Sequence, residues 1–453
     1  MSFPKQIFKA YDIRGIYPKE LDEDIAYRVG QAYAELIKAE VKKEEITVVI
    51  GHDMRNSSPS LKKEVVRGVI DQGVNVVEIG LASTPTFYFA VAKYGYDGGL
   101  QVSASHNPGE YNGFKITRAR AVPISGTSGI KEIAEMVEKN EFVASVKKGQ
   151  VQERDDILSE QIKIALTYVD ISKIKPLKIV VDTANAMGAP LIEELFKYLP
   201  CELVKMYFEL DGSFPNHEAD PFKDENNLDL QKKVLEVGAD LGIALDGDAD
   251  RLFIIDNKGK TIEPAMLRGI LSKVFLRQYP GAKICYDIRP GRITIDMIEQ
   301  AGGVPVITSV GHSLVKEKAQ EVGAVFAGES SGHFYLKMPY GFFDATDIMI
   351  LKLLQEFSES GQSVSEFTAP LYRYFHSGEI NFEVDDKQAV SDRLQEKYGD
   401  HLKYNFDGLS FEFDDFWFNV RASNTENKVR LNLEAVSQQV MEEKTKEVSG
   451  VIQ

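Results

Sequence analysis

Lys178-Ile-Val-Val-Asp182-Thr-Ala-Asn-Ala-Met-Gly188 sets a short, β-branched apolar run directly before a turn of small and polar residues. A helical segment near Ile192–Leu199 follows, and then a second strand-like run, Glu202-Leu-Val-Lys-Met206. The same rhythm recurs on both sides. Upstream, Ile46-Thr-Val-Val-Ile50 leads into Gly51-His-Asp-Met-Arg55, a helix through Ile70 and Asn75-Val-Val-Glu-Ile79. Downstream, Ala282-Lys-Ile-Cys-Tyr286 leads into Asp287-Ile-Arg-Pro-Gly291, a helix to Gln300 and Val304-Pro-Val-Ile-Thr308. Near-continuous apolar strands separated by helices predict βαβ crossovers, because strands of a parallel sheet are covered on both faces. The copies are much longer than the roughly 20–50-residue units of solenoids. The expected fold class is therefore α/β, with three related α/β domains built on mixed, mainly parallel sheets.

The final stretch breaks the rhythm. Glu379-Ile-Asn-Phe-Glu-Val384, a helix from about Lys387 to Tyr398, the alternating Leu409-Ser-Phe-Glu-Phe413 and Lys428-Val-Arg-Leu-Asn-Leu433 predict a small α+β domain with an antiparallel sheet. Polar segments near Lys147–Asp156, Asp256–Lys260 and Ala369–Tyr374 mark the joints. The expected domains are 1–151, 152–255, 256–368 and 369–453.

A chain of 453 residues, 43% hydrophobic and 27% charged, has the makings of a folded multidomain protein rather than a disordered one. With 53 Lys+Arg against 69 Asp+Glu its net charge is −16, which disfavours general nucleic-acid or anionic-membrane binding. An anionic substrate would need a local basic cluster, which screening within about 8 Å permits. Cys201 and Cys285 are too few for a disulfide scaffold or a Cys-rich zinc site. Neither a signal-peptide pattern near Met1 nor a membrane-length apolar run of roughly 18 residues is present, so the expected location is the cytoplasm.

Four loops carry residues suited to chemistry. Ser103-Ala-Ser-His-Asn-Pro-Gly109 follows the apolar Gly98-Gly-Leu-Gln-Val102, and places Ser105 beside His106. It suits a nucleophile or a plain ST- or Asx-turn, and lacks the glycines of a Gly-x-Ser-x-Gly elbow. Leu245-Asp-Gly-Asp-Ala-Asp-Arg251 carries carboxylates at 246, 248 and 250, which on an extended segment project to one side. Three converging carboxylates call for a hard cation, and Mg²⁺ suits an open oxygen site. An EF-hand is excluded, since Arg251 and Asn257 stand where Gly and Glu are required. Gly328-Glu-Ser-Ser-Gly-His-Phe334 offers hydroxyls, a carboxylate and an imidazole that suit sugar hydroxyls or a plain polar loop. Arg421-Ala-Ser-Asn-Thr-Glu-Asn427 supplies a guanidinium and small donors that suit a phosphate dianion or an Asx-rich hairpin turn. Trp417, nearby, reads as core rather than as a stacking platform.

Together, in this order and one per candidate domain, the four loops resemble the signature loops of the α-D-phosphohexomutase superfamily, most closely the bacterial phosphomannomutase/phosphoglucomutase group. Tyr11-Asp-Ile-Arg-Gly15, Gly51-His-Asp-Met-Arg55, Gly113-Phe-Lys115 and Gly311-His-Ser313 agree with it. The resemblance implies four domains around a central cleft and a cycle between hexose 1-phosphate and hexose 6-phosphate. It implies Ser105 as phosphoryl carrier, with Asp246, Asp248, Asp250 and a phosphoserine oxygen around Mg²⁺. Glu329 and Ser331 would contact sugar hydroxyls, and Arg421, Ser423, Asn424 and Thr425 would grip the non-reacting phosphate. Tyr11, Arg14, His106, Lys115, Arg251, Arg289, His312 and His333 would line the cleft, with His333 or Lys115 as general acid/base.

The implied partners are a small phosphosugar and a hexose 1,6-bisphosphate as activator and intermediate, with no nucleic acid and no membrane, in a monomer or small homo-oligomer. Two positions depart from the family pattern: Asn427 in place of proline, and Arg289 in place of lysine. Rival readings are a phosphoglucosamine mutase, whose sugar loop has Gln where Ser330 stands, a haloacid-dehalogenase-type phosphatase, and a non-catalytic phosphosugar-binding protein.

Overall fold

The computed structural model describes residues 3–289, 291–422 and 427–453, with the side chain of Thr127 left out. The chain clusters into two compact units, Met1–Ile262 with Ser331–Ser365, and Glu263–Ser330 with Glu366–Gln453.

The first unit holds two mixed sheets. In one, the strands run Ile13–Ile16, Tyr111–Arg118, Gly98–Val102, Thr47–His52, Asn75–Leu81 and Val151–Glu153. Thr47–His52 pairs in parallel with both Asn75–Leu81 and Gly98–Val102, as the apolar runs predict. In the other, the order is Thr261–Ile262, Leu252–Asp256, Leu241–Leu245, Lys178–Asp182 and Glu202–Met206. Gly98–Val102 and Leu241–Leu245 are buried along their whole length, which explains their apolar character; the one polar residue among them, Gln101, donates to the Ala82 carbonyl at 2.7 Å. Each is also the first arm of an antiparallel hairpin, returning as Tyr111–Arg118 and Leu252–Asp256. Ser105 and the aspartates therefore sit in hairpin connections at the C-terminal ends of buried strands, where α/β sheets commonly present ligand-binding groups.

The bounds of Lys178–Asp182, Glu202–Met206 and Val304–Thr308 coincide with the sequence reading. The helix between the first two spans Gly188–Phe196, four residues earlier than the apolar spacing indicates. The cause is local. The Ala186 N–H closes the turn on the Thr183 carbonyl at 2.8 Å, so the helix begins at once.

The second unit contains the parallel strands Val304–Thr308, Lys283–Asp287 and Phe326–Gly328 in that order. Its other sheet is antiparallel, ordered Phe375–Glu383, Lys428–Ala435, Phe416–Ala422, Leu409–Glu412 and Leu402–Asn405. Helices Lys387–Tyr398 and Gln438–Ile452 supply Val390, Leu394, Val448 and Ile452 to its core. Trp417 is only half-buried, contrary to the core reading. It meets Tyr374 edge-on at 5.4 Å, and the Arg292 guanidinium lies 5.0 Å from its ring.

The helix Arg292–Gln300 receives its cap from a distant strand: Glu434 Oε2 accepts from the Gly291 and Arg292 N–H groups at 2.9 and 3.0 Å. Burial, with the charge of Glu263 adding to it, raises the Glu434 carboxyl to about 7, against the two N–H donors and Arg268. Folded protein then binds more protons than unfolded protein between 4.5 and about 7. The associated stability is complete below that window and disappears as pH rises through about 7. Relative to Glu434→Gln, which stays neutral and keeps an acceptor oxygen, the wild type should lose up to about 3 kcal/mol between pH 4.5 and 8. Denaturant melts of both proteins across that range check this, and a constant difference would contradict it.

Candidate active site

The Asp loop is a tight turn, not the extended segment expected from alternation, and Ala249 takes a left-handed φ of 60° within it. Asp246 closes the turn, since its Oδ1 accepts from the N–H groups of Asp250 and Arg251, both at 3.1 Å. The carboxylates still converge. One oxygen from each of Asp246, Asp248 and Asp250 lies within 4.8 Å of the others, and all three side chains are buried.

Ser105, 2% exposed, meets this turn directly. Its Oγ donates to Asp246 Oδ2 at 3.1 Å and lies 3.2 Å from His106 Nδ1. Its own φ is 51°, a conformation that costs a non-glycine residue roughly 1–3 kcal/mol. The close approach explains the glycine of Asp-Gly-Asp: a Cβ on Gly247 would stand 2.3 Å from the Ser105 carbonyl oxygen.

Cations surround the carboxylates. Lys115 Nζ lies 2.5 Å from Asp248 Oδ2 and 2.6 Å from Asp250 Oδ2. Burial works against the Lys115 charge, but these two aspartates outweigh it and hold the ammonium well above its usual range. Lys115 is thus a persistent positive charge and hydrogen-bond donor to the two carboxylates, not a resting base. The Arg251 guanidinium pairs with Asp220 at 2.9 Å and stands 3.8 Å from Asp246 Oδ2. Arg14 holds Asp12 and donates to Asn107 Oδ1 at 2.5 Å, within the serine loop. His333 is placed by the isolated bridge between its backbone and that of Arg251; its Nε2 lies 3.2 Å from Asp250 Oδ1 and its Nδ1 2.8 Å from Ser331 Oγ.

Burial, then repulsion from Asp250 and Asp248, pushes the Asp246 carboxyl well above the ordinary carboxylate range. Burial also opposes the charge on Asp250, yet Lys115 and His333 hold that group well below the range. Burial, aided by Arg251 and Arg14, keeps His106 neutral far below the usual histidine value. The donor set fits a hard divalent ion. Three hard oxygens converge, and Asp248 Oδ1 is buried without a hydrogen-bond donor.

In the second unit, Asp287 is the organising group. It accepts from Arg268 Nη1 at 2.9 Å, from Arg289 Nε at 2.6 Å and from Ser330 Oγ at 2.9 Å. Ser330 is therefore committed to Asp287. Glu329 Oε1 accepts from the Gly311 N–H at 3.1 Å, immediately before His312, and lies 3.7 Å from Arg289. Arg421 has Glu379 and Asp407 at 3.7 and 3.8 Å, oriented by both without close pairing. Ser423, Asn424 and Thr425 lie outside the described residues, and Tyr11 occupies the bend before Ile13–Ile16.

Three contributors escaped the sequence reading. Thr84 Oγ1 donates to Asp248 Oδ2 at 2.6 Å, Asp220 anchors Arg251, and Asp287 holds the loop at Ser330. Of these only Asp287 carried a signal, since it ends an apolar strand.

Residues 5–144, 158–259 and 265–375 match phosphoglucomutase/phosphomannomutase alpha/beta/alpha domains I, II and III, and residues 379–450 match the C-terminal domain. A phosphomannomutase of Vibrio cholerae is 38% identical over 455 residues, covering 98% of each chain. A protein of Xanthomonas campestris described as phosphohexose mutases is 39% identical over 450 residues, again 98% of each. The crystal structure of a phosphoglucomutase/phosphomannomutase family protein from Burkholderia thailandensis superposes with a TM-score of 0.90 at 32% identity, covering 100% of this chain and 98% of that one. Fold and site thus define an α/β enzyme of the phosphohexose mutase class. The chain belongs to the phosphoglucomutase/phosphomannomutase family.

Gly247→Ala tests the contact between the two loops. The added methyl must push the Asp turn off Ser105, so turnover should fall at least about tenfold, or ~1.4 kcal/mol of transition-state free energy. Circular dichroism should be unchanged. Full turnover in a folded variant would show that the two loops need not touch.

Proposed function

We propose that the chain interconverts hexose 1-phosphate and hexose 6-phosphate, on glucose and mannose alike, with Ser105 as the phosphoryl carrier. The observation that carries this reading is the hydrogen bond from Ser105 Oγ to a buried aspartate triad flanked by Lys115 and Arg251. Asp246, Asp248 and Asp250, with an oxygen of the phosphoserine, would hold Mg²⁺, which when bound offsets charge on the transferring phosphoryl oxygens.

Phosphorylated Ser105 gives its phosphoryl group to the free hydroxyl of the substrate, producing a hexose 1,6-bisphosphate. After the bisphosphate turns around, its other phosphate returns to Ser105 and the isomer leaves. As the hydroxyl O–P bond forms and the Ser105 Oγ–P bond breaks, His333, whose imidazole bridges Asp250 and Ser331, takes the hydroxyl proton. The departing Ser105 oxygen takes up a proton in turn, so no net proton is released. Lys115 and Arg251 offset developing negative charge, and Arg14 steadies the serine loop through Asn107. Arg421, with Ser423, Asn424 and Thr425, grips the phosphate that is not reacting, while Tyr11, Arg289 and His312 contribute to the remaining substrate contacts. The reading extends to a cytoplasmic protein, monomeric or a small homo-oligomer, with no nucleic-acid partner.

Glu329 and Ser331 suit a sugar presented in two orientations. A half-turn exchanges O3 and O4, and a carboxylate can accept from either, while a hydroxyl both donates and accepts. Such a pair does not read the configuration at C2. Glucose 1-phosphate and mannose 1-phosphate should therefore turn over with kcat/KM within about tenfold. Glu329→Ala should lower both together, and Ser105→Ala should abolish both along with the phosphate adduct in intact-protein mass. A coupled assay with each sugar phosphate and a bisphosphate activator checks this. Release of inorganic phosphate instead of isomer, or an active Ser105→Ala, would overturn the proposal.

A further inference from the structure

The serine loop turns several backbone carbonyls inward, toward one point behind the nucleophile. That point is occupied by the guanidinium of Arg55, whose side chain is fully buried. Its Nη1 donates to the carbonyls of Pro108 and Tyr111 at 2.7 and 3.0 Å. Its Nη2 donates to those of Ser105 and Asn107 at 2.8 and 2.5 Å. All four terminal N–H bonds of one side chain are spent on the connection that carries Ser105, one of them on the carbonyl of Ser105 itself.

Neighbouring groups fix the guanidinium in turn. Asp53 Oδ2 lies 3.2 Å from Nε, and Asp53 Oδ1 is held by the Arg55 N–H at 3.0 Å and by Ser58 Oγ at 2.5 Å. The Phe214 ring covers one face, with its centroid 5.0 Å from the guanidinium carbon. Converging carbonyl dipoles repel one another unless a cation lies among them. One of them belongs to Ser105, whose φ is 51° and whose carbonyl meets Arg55 while its Oγ faces Asp246.

We infer that Arg55 is a positioning residue for phosphoryl transfer, setting where Ser105 Oγ stands through four backbone carbonyls. The inference rests on the reading of Ser105 as phosphoryl carrier. Arg55 reaches the reaction only through the loop, so its loss should lower kcat and leave KM nearly unchanged. Lysine is not an equivalent. It brings the charge, but its three donors radiate from one nitrogen and cannot serve two pairs of carbonyls. A displacement of about 1 Å at a reacting atom costs on the order of a hundredfold in rate.

The test uses the full chain carrying Arg55→Lys or Arg55→Ala, with the phosphate on Ser105 followed by intact-protein mass. Arg55→Lys should fold, show kcat lower by about a hundredfold with KM within about threefold, and lose phosphate from Ser105 faster than wild type. Low concentrations of guanidinium chloride should restore part of the kcat of Arg55→Ala and none of that of Arg55→Lys. Where neither variant folds, Phe214→Leu, which removes only the covering ring, is read by the same split between kcat and KM. Wild-type kcat in a folded Arg55→Lys, or a rise in KM alone, would overturn the inference. Wild-type protein that takes no phosphate on Ser105 would instead count against the carrier reading beneath it.

Discussion

The mutual repulsion of Asp246, Asp248 and Asp250 is the constraint to which the neighbouring structure answers. Ionised carboxylates crowded in a buried turn are costly unless positive charge is brought among them. Lys115 meets two of them and Arg251 approaches the third. The His333 imidazole lies within hydrogen-bond distance of Asp250. Hydrogen bonds from Thr84 and from Ser105 use further lone pairs. These groups come from five separate segments of the first unit, brought to one place. The lone pair left over on Asp248 marks where a divalent ion would complete the charge balance.

The same local device recurs. A buried strand ends in a short connection, and an antiparallel partner carries the chain back, as at Gly98–Val102 with Tyr111–Arg118 and Leu241–Leu245 with Leu252–Asp256. Rigid paired strands on both sides hold a connection more firmly than a free loop could, and this suits side chains that must be placed to a fraction of an ångström.

The fold was legible because parallel strands buried on both faces, such as Lys178–Asp182, leave an unbroken apolar signature that few other elements imitate. The convergence of the three aspartates was legible because carboxylates are costly to crowd together without a chemical purpose. What the sequence could not convey was contact between distant segments. Thr84 looks like an ordinary helix residue after Ser83, and only the fold brings its hydroxyl to Asp248. Asp220 and Arg251 pair across 31 positions of chain. Ser330 sits in a loop suited to sugar hydroxyls, yet in the structure it serves Asp287. The three carboxylates converge, as alternation predicts, but through a turn bent by a left-handed Ala249 rather than along an extended segment.

Everything proposed for this site depends on the triad holding a cation, and calorimetric titration of Mg²⁺ into the metal-stripped full chain addresses that most directly. The account predicts one binding event per chain near neutral pH, and affinity weakened at least about tenfold in Asp248→Asn. Absence of any binding heat, or an affinity indifferent to Asp248→Asn, would contradict it.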